Sequence, residues 1–172
     1  SNARIIEKNW YPVQSIIHND AVEQNPQEWW SLAEQLLTEL FSKKEEYRLR
    51  LKSITVTSSA CCLIVTDKTG TPLLNSMIVS DKRAHKEATE LREHAKISKI
   101  FSNSNFLAVP SYMMPKILWL KHHLPSIFKN AAYYMSSNDY LLFKLTGKFK
   151  TDPLNAEKFY YDIAKKQYLS DV

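Results

Sequence analysis

Two short polar clusters hold the side chains best suited to chemistry. The first, Ser58-Ser59-Ala60-Cys61-Cys62, sets hydroxyls beside two adjacent thiols. A cysteine attacks as its thiolate, which needs a basic neighbour or a helix N-terminus. No histidine lies close to these thiols in sequence, so packing or substrate lining is the better reading than covalent catalysis. The second cluster, Ser80-Asp81-Lys82-Arg83, spaces a carboxylate two residues from a guanidinium. A carboxylate accepts two ligand hydroxyls, and an arginine fork pins it or grips a carboxylated ligand. Equally, Asp81 can cap a helix with Arg83 paired to it, and both readings stay open. His85 and His94 lack an i, i+4 spacing and companion cysteines, which argues against a metal site. His122-His123 fall on the polar side of a helical pattern, as solvated residues.

The elements around these clusters would position them. Ile54–Thr57 reads as a buried strand leading into the first cluster, and Leu63–Val65 as a second apolar run. Asp67-Lys68-Thr69-Gly70 is a turn signal, with Gly where positive φ costs little. A third run, Leu73–Val79, ends at Ser80, and a helical stripe of Ala84, Ala88, Leu91 and Ala95 is expected from Asp81. Loops leaving strand ends are held rigid, so both clusters sit where sites form in α/β proteins. Upstream, Arg4–Ile17 with Pro12 reads as an edge strand and irregular extension. Asn25-Pro26-Gln27-Glu28 starts a helix with a cap, a proline at the first position and a capping-box glutamate, and the pattern runs to about Lys43. Trp29-Trp30 reads as core packing plus one partly exposed ring. Phe101–Ser111 is a polar loop, Pro115 opens a helix and Pro125 breaks it. Ala131–Ser136 is a short strand, Asn138 or Asp139 caps a helix over Tyr140–Thr146, and Gly147 closes it. Pro153 begins another turn or helix, and a last element starts at Phe159. Strands followed by packed helices give an α/β domain with a mixed sheet.

Composition narrows the classes. A chain of 172 residues, 44% hydrophobic and 24% charged, is one ordinary globular domain. The net charge of +5 is mild, and lysine-rich helix faces explain it without nucleic acid. Two cysteines, adjacent to each other, exclude a disulfide framework and favour a reduced cytoplasmic setting. No apolar run approaches the roughly 18 residues that span a bilayer. Ser1-Asn2-Ala3 reads as an expression-tag remnant, leaving 4–172 as the domain. Only two glycines occur, Gly70 and Gly147, so no glycine-rich phosphate loop is present.

A set of segments then resembles one family. These are Glu23–Trp30, Ile54–Leu73, Ser80–Arg83, Pro115–Leu120, Asp139–Asp152 and Asn155-Ala156. In this order, across almost the whole chain, they resemble the N-terminal domain of FGGY-type carbohydrate kinases, with xylulose, ribulose and gluconate kinases nearest in feel. The resemblance implies an actin-like ATPase fold of the ribonuclease H-like kind, a mixed sheet flanked by helices. It implies a two-domain enzyme with sugar in the cleft and Mg-ATP mostly on the other half. The implied reaction moves the γ-phosphoryl group of ATP to a sugar or polyol hydroxyl, a pentulose being favoured, with an aspartate removing the proton.

Such kinases open with a glycine-rich phosphate hairpin that this chain lacks, so truncation at the N-terminal hairpin is expected. The base aspartate is expected beyond Val172. The chain alone is therefore expected to be inactive, to bind neither ATP nor Mg2+, and to need the remainder of the kinase as partner. An uncovered strand edge also invites a homodimer. Many relatives carry Gly-Gln-Met-His-Gly in place of Ser58–Cys62. The Met-His pair touches sugar there, so the resemblance assigns Ala60 and Cys61 to substrate binding. A W-x-D-x-R motif becomes Val79-x-Asp81-x-Arg83, which adds Asp81 and Arg83. Lys116 also matches and is assigned to the cleft edge; Asp152 and Asn155 match a motif taken as structural. Apolar residues at usual sugar contacts motivate an alternative, a non-catalytic sugar-binding or regulatory homologue.

Overall fold

The computed structural model describes residues 4–94 and 108–169. The tag reading of Ser1–Ala3, the end of the helix beyond His94 and most of the polar loop before Ser111 lie outside the described residues. Among the described residues, no helix is long and apolar enough to cross a membrane.

The centre of the fold is β3 (Ile64–Thr66), buried at every residue. Successive side chains on a strand face opposite ways. Leu63 and Val65 pack with Met113 and Leu120, while Ile64 packs with Met135, Tyr140, Trp29 and Trp30 on the other face. Helices thus cover both faces, and this is why the run is apolar throughout rather than alternating. The strand β3 pairs antiparallel with β5 (Tyr133–Met135), Val65 opposite Tyr134. Upstream, β1 (Ile16–His18) and β2 (Ala21–Gln24) form a hairpin, and β2 pairs antiparallel with β4 (Ser76–Met77). A single bridge joins the two sheets: Leu63 and Met77 exchange backbone hydrogen bonds of 3.0 and 3.2 Å. The expected mixed sheet is, among the described residues, a set of short antiparallel ladders, closed by a hairpin of β6 (Tyr161–Asp162) and β7 (Gln167–Tyr168).

The helices are α1 (Pro26–Lys43), α2 (Glu45–Arg50), α3 (His85–Glu93), α4 (Met113–His123), α5 (Pro125–Asn130), α6 (Ser137–Thr146) and α7 (Pro153–Glu157). Asn25 caps α1 as expected, its Oδ1 accepting from the Gln27 N–H at 2.9 Å. Pro125 divides α4 from α5, because a proline nitrogen cannot extend the ladder. Gly147 ends α6 in the left-handed conformation, φ +69°. Gly70 does the same for the turn after β3, φ +84°, while Asp67 Oδ1 collects the Thr69 and Thr71 N–H groups.

Three expectations need correction. Ile54–Thr57 belongs to no ladder, and all of it but the half-buried Val56 is exposed. Strand-like sequence becomes a strand only where a neighbour lends its N–H and C=O groups, and no described strand lies alongside. For the same reason only Ile16 and Ile17 of the Arg4–Ile17 segment are paired. The helix expected from Asp81 begins at His85. The Asp81 carboxylate accepts the Arg83 N–H at 3.1 Å, which closes a side-chain turn and bends the chain before the helix. Finally, α6 is capped by Ser136, not Asn138 or Asp139. Ser136 Oγ accepts from the Asp139 N–H, and the Asp139 carboxylate accepts from the Ser136 N–H, a capping box with Asp in the usual Glu place.

Candidate functional site

The Ser58–Cys62 turn is docked at the start of α6. Ser137 Oγ donates to Ser58 Oγ at 2.7 Å and reaches the Ser59 carbonyl at 3.2 Å. Ser58 Oγ in turn donates to Asn138 Oδ1 at 3.2 Å. The chain then reverses at Cys61, whose φ of +63° is unusual for a residue with a Cβ. That reversal sends both thiols inward, Cys61 to 4% and Cys62 to 5% exposure, and leaves Ala60 exposed at the tip. Burial pushes the Cys61 thiol up, partly opposed by the nearby Lys116 charge. A buried, protonated thiol is a packing group and a poor nucleophile.

Opposite this turn stands the segment after β4. Ile78 and Val79 face Ser58, Ser59 and Cys62 across an open cleft of about 350 Å³. Ser137 of α6 and Trp29, Leu32 and Leu36 of α1 complete most of its wall. Trp29 is held by its indole N–H, which donates to Gln24 Oε1 at 3.0 Å.

Asp81 follows directly, and its environment is closed. It has no exposed surface. Its carboxylate accepts from the Val22 N–H at 2.9 Å, the Arg83 N–H at 3.1 Å and the Arg83 Nε–H at 3.1 and 3.2 Å. Arg83 Nη2 lies 2.9 Å from Asp81 Oδ2 and 2.8 Å from Glu23 Oε1. The guanidinium also sits 4.7 Å over the Trp119 ring, and Trp119 stacks on His123 at 4.8 Å. His123 Nε2 lies 3.2 Å from Glu87 Oε1, so a series of contacts runs from Asp81 through Arg83 and Trp119 out to α3.

The group that joins the two sides is Lys116. Its Nζ donates to the carbonyls of Cys61 at 2.7 Å, Ile78 at 2.8 Å and Met77 at 3.0 Å. Lys116 has no exposed surface. Burial lowers its ammonium to about 8, with Asp81 pulling the other way. The structure thus brings the two clusters together around one buried lysine. It does not put the four assigned residues in the cleft lining: Ala60 is at the exposed rim, Cys61 and Asp81 are behind the wall, and Arg83 is largely buried against Asp81. Every donor-facing position of the Asp81 carboxylate described here is filled from within the protein.

The role of Lys116 was visible only as a matched motif position. A residue-level signal did exist: Met113, Lys116 and Leu120 follow a 3–4 spacing, which puts the lysine on the buried stripe of α4. Ser137 and Glu23 carried no comparable signal, because their partners lie far away in sequence. Among the described residues, no three His, Cys, Asp or Glu side chains converge to hold a metal ion.

Comparison with known proteins identifies the family. The family model described as "FGGY family of carbohydrate kinases, N-terminal domain" matches residues 1–172. A xylulose kinase of Lactococcus lactis is 26% identical over 151 residues, covering 87% of this chain and 30% of that protein. An autoinducer-2 kinase of an Enterobacter species is 34% identical over 117 residues, covering 63% of this chain and 22% of that protein. The solved xylulose kinase of Rhodospirillum rubrum superposes with a TM-score of 0.86 at 27% identity, covering 94% of this chain and 34% of that one. The chain spans about a third, or less, of the length of these kinases. With a match along its whole length, the chain belongs to the FGGY family of carbohydrate kinases.

Proposed function

We propose that this chain forms one wall of the sugar site in a kinase that transfers the γ-phosphoryl group of ATP to a sugar or polyol hydroxyl. A pentulose such as xylulose or ribulose is the favoured acceptor. The observation that carries this reading is the cleft between the Ser58–Cys62 turn and Ile78–Val79, the turn and Val79 being positions that the resemblance assigns to sugar-contact motifs. Ala60 at the rim and the serine hydroxyls of the turn offer the surface an acceptor would meet. Cys61, Asp81 and Arg83 serve from behind: Arg83 holds the Asp81 carboxylate, and Asp81 holds β2 and the end of β4 in register. A rigid wall of this kind contributes to rate by orientation, since phosphoryl transfer depends on aligning the attacking hydroxyl.

ATP, Mg2+ and the proton-accepting aspartate are assigned to the remainder of the kinase, and the chain alone is expected to be inactive. The test is sugar-dependent ATP consumption by the full-length protein on a panel of ketopentoses, polyols, gluconate and autoinducer-2. Stimulation by one ketopentose supports the reading. Stimulation only by autoinducer-2 replaces the pentulose assignment, and no stimulation by any member favours a non-catalytic sugar-binding homologue.

A further inference from the structure

We propose that Lys116 is the positioning residue of this cleft: its single side chain ties the Cys61 carbonyl to the Met77 and Ile78 carbonyls and so sets the gap between the two walls. The inference rests on the sugar-wall reading for its functional consequence, but the tie itself is a feature of the chain.

Three observations converge on it. First, the three acceptors come from both sides of the cleft, and all are main-chain atoms. Main-chain acceptors make the tie act on backbone position, whatever side chains line the cleft. Second, the ammonium sits in full burial among Cys61, Cys62, Asp81 and Arg83, with Glu23 behind Arg83. A charge in that position costs stability through lost hydration, which three charge-assisted hydrogen bonds and Asp81 offset. Third, the acceptors are not equivalent. Met77 O also accepts from the Leu63 N–H, and Ile78 O from the Asp81 N–H. The Cys61 carbonyl has Lys116 as its donor at the one point where the chain turns back with positive φ. Removing the ammonium therefore frees the Cys61 turn first.

This separates a positioning lysine from an ordinary core residue. Replacing the ammonium by an apolar side chain removes its own hydration cost but takes a donor from three carbonyls and a counter-charge from Asp81. Lys116→Met should accordingly lower Tm, with the loosening concentrated at the cleft. Two measurements read this in the full-length protein. Hydrogen exchange should show protection falling about tenfold, the size of one lost hydrogen bond, at the amides of 58–62 and 78–81. Protection in α1 should stay the same. In steady-state kinetics KM for the sugar should rise by about tenfold with kcat within about twofold, the signature of lost binding geometry. Lys116→Arg, which restores donors, should recover part of both effects. Should the Met variant fail to fold, Lys116→Gln keeps a neutral amide NH2 as donor and is read in the same way.

Unchanged exchange at 58–62 and 78–81 would overturn the proposal. So would a loss of protection spread evenly over the domain, α1 included, which describes a plain core residue. A wild-type protein with no sugar-dependent turnover would remove the sugar-wall reading alone, since the exchange measurement still decides whether the tie exists.

Discussion

Asp81→Asn keeps the shape of the buried side chain and removes its charge, so it isolates what the carboxylate does. In the structure that carboxylate holds Arg83 through Nε and Nη2 and caps the Val22 N–H. Breaking one side of a buried pair leaves an uncompensated charge, at a cost of about 3–5 kcal/mol. Glu23 remains 2.8 Å from Arg83 and both are partly exposed, so the lower end of that range applies, about 3 kcal/mol. The loss should appear in urea unfolding followed by tryptophan fluorescence, as a lower midpoint with an unchanged slope. Arg83→Met in the same assay completes a double-mutant cycle, and the pair should couple by about 1–3 kcal/mol. A loss under about 1 kcal/mol, with additive effects, would refute the reasoning. It would mean that the carboxylate is free in solution and available to ligand hydroxyls, the role first suggested by its motif.

Other consequences follow from single sites. Gly70→Ala should cost about 3 kcal/mol, because its Cβ would collide with the Phe143 ring at a φ of +84°. Gly147→Ala should cost only about 1 kcal/mol, since nothing lies within 4 Å there and only the left-handed backbone resists. Burial raises the Asp139 carboxyl, so the folded state holds its proton longer than the unfolded chain. Its contribution is thus fully present below the unfolded value and is lost as pH rises through the folded one. Asp139→Asn should flatten that acid-side slope in pH-dependent unfolding, whereas Ser136→Ala should cost about 1 kcal/mol at every pH. Lys116 has the opposite sense to a paired lysine. Between about 8 and 10.5 the unfolded chain keeps a proton that the folded one has lost, so stability from this group rises with pH. The gain is up to about 3 kcal/mol, and Lys116→Met should abolish it. Both thiols should react slowly with an aromatic disulfide reagent at pH 8 and rapidly once the chain is denatured, because they are buried and Cys61 is held protonated.

The sequence announced those parts of the fold that depend on near neighbours. The Asn25-Pro26 start of α1, the Asp67–Gly70 turn, the Pro125 break and the Gly147 stop are each set by residues within a few positions. It failed where a distant partner decides. Ile54–Thr57 has strand chemistry and, among the described residues, no strand to pair with. Asp81 has cap chemistry, but Val22 and Arg83 compete for its oxygens and delay the helix to His85. The candidate site was legible as two clusters, which the resemblance assigned to motifs. Its arrangement was not legible, because a lysine is read as a surface residue until three carbonyls are found around it. The closed state of Asp81 likewise depends on Glu23 and Arg83 meeting across sixty positions of chain, which no local pattern encodes.

One property of the cleft bears on how the chain reaches its final state. Its fastenings join residues far apart along the chain: Ser58 with Ser137 across 79 positions, Asp81 with Val22 across 59 and Lys116 with Cys61 across 55. Such contacts are rewarded only after large loops have closed, so they form late and raise contact order. During synthesis the wall cannot assemble until Asn138 has cleared the ribosome, however early α1 winds up. A nascent chain paused before that point would carry helices and bare apolar surface with the Ser58 turn still undocked, and would be the stage most in need of a chaperone.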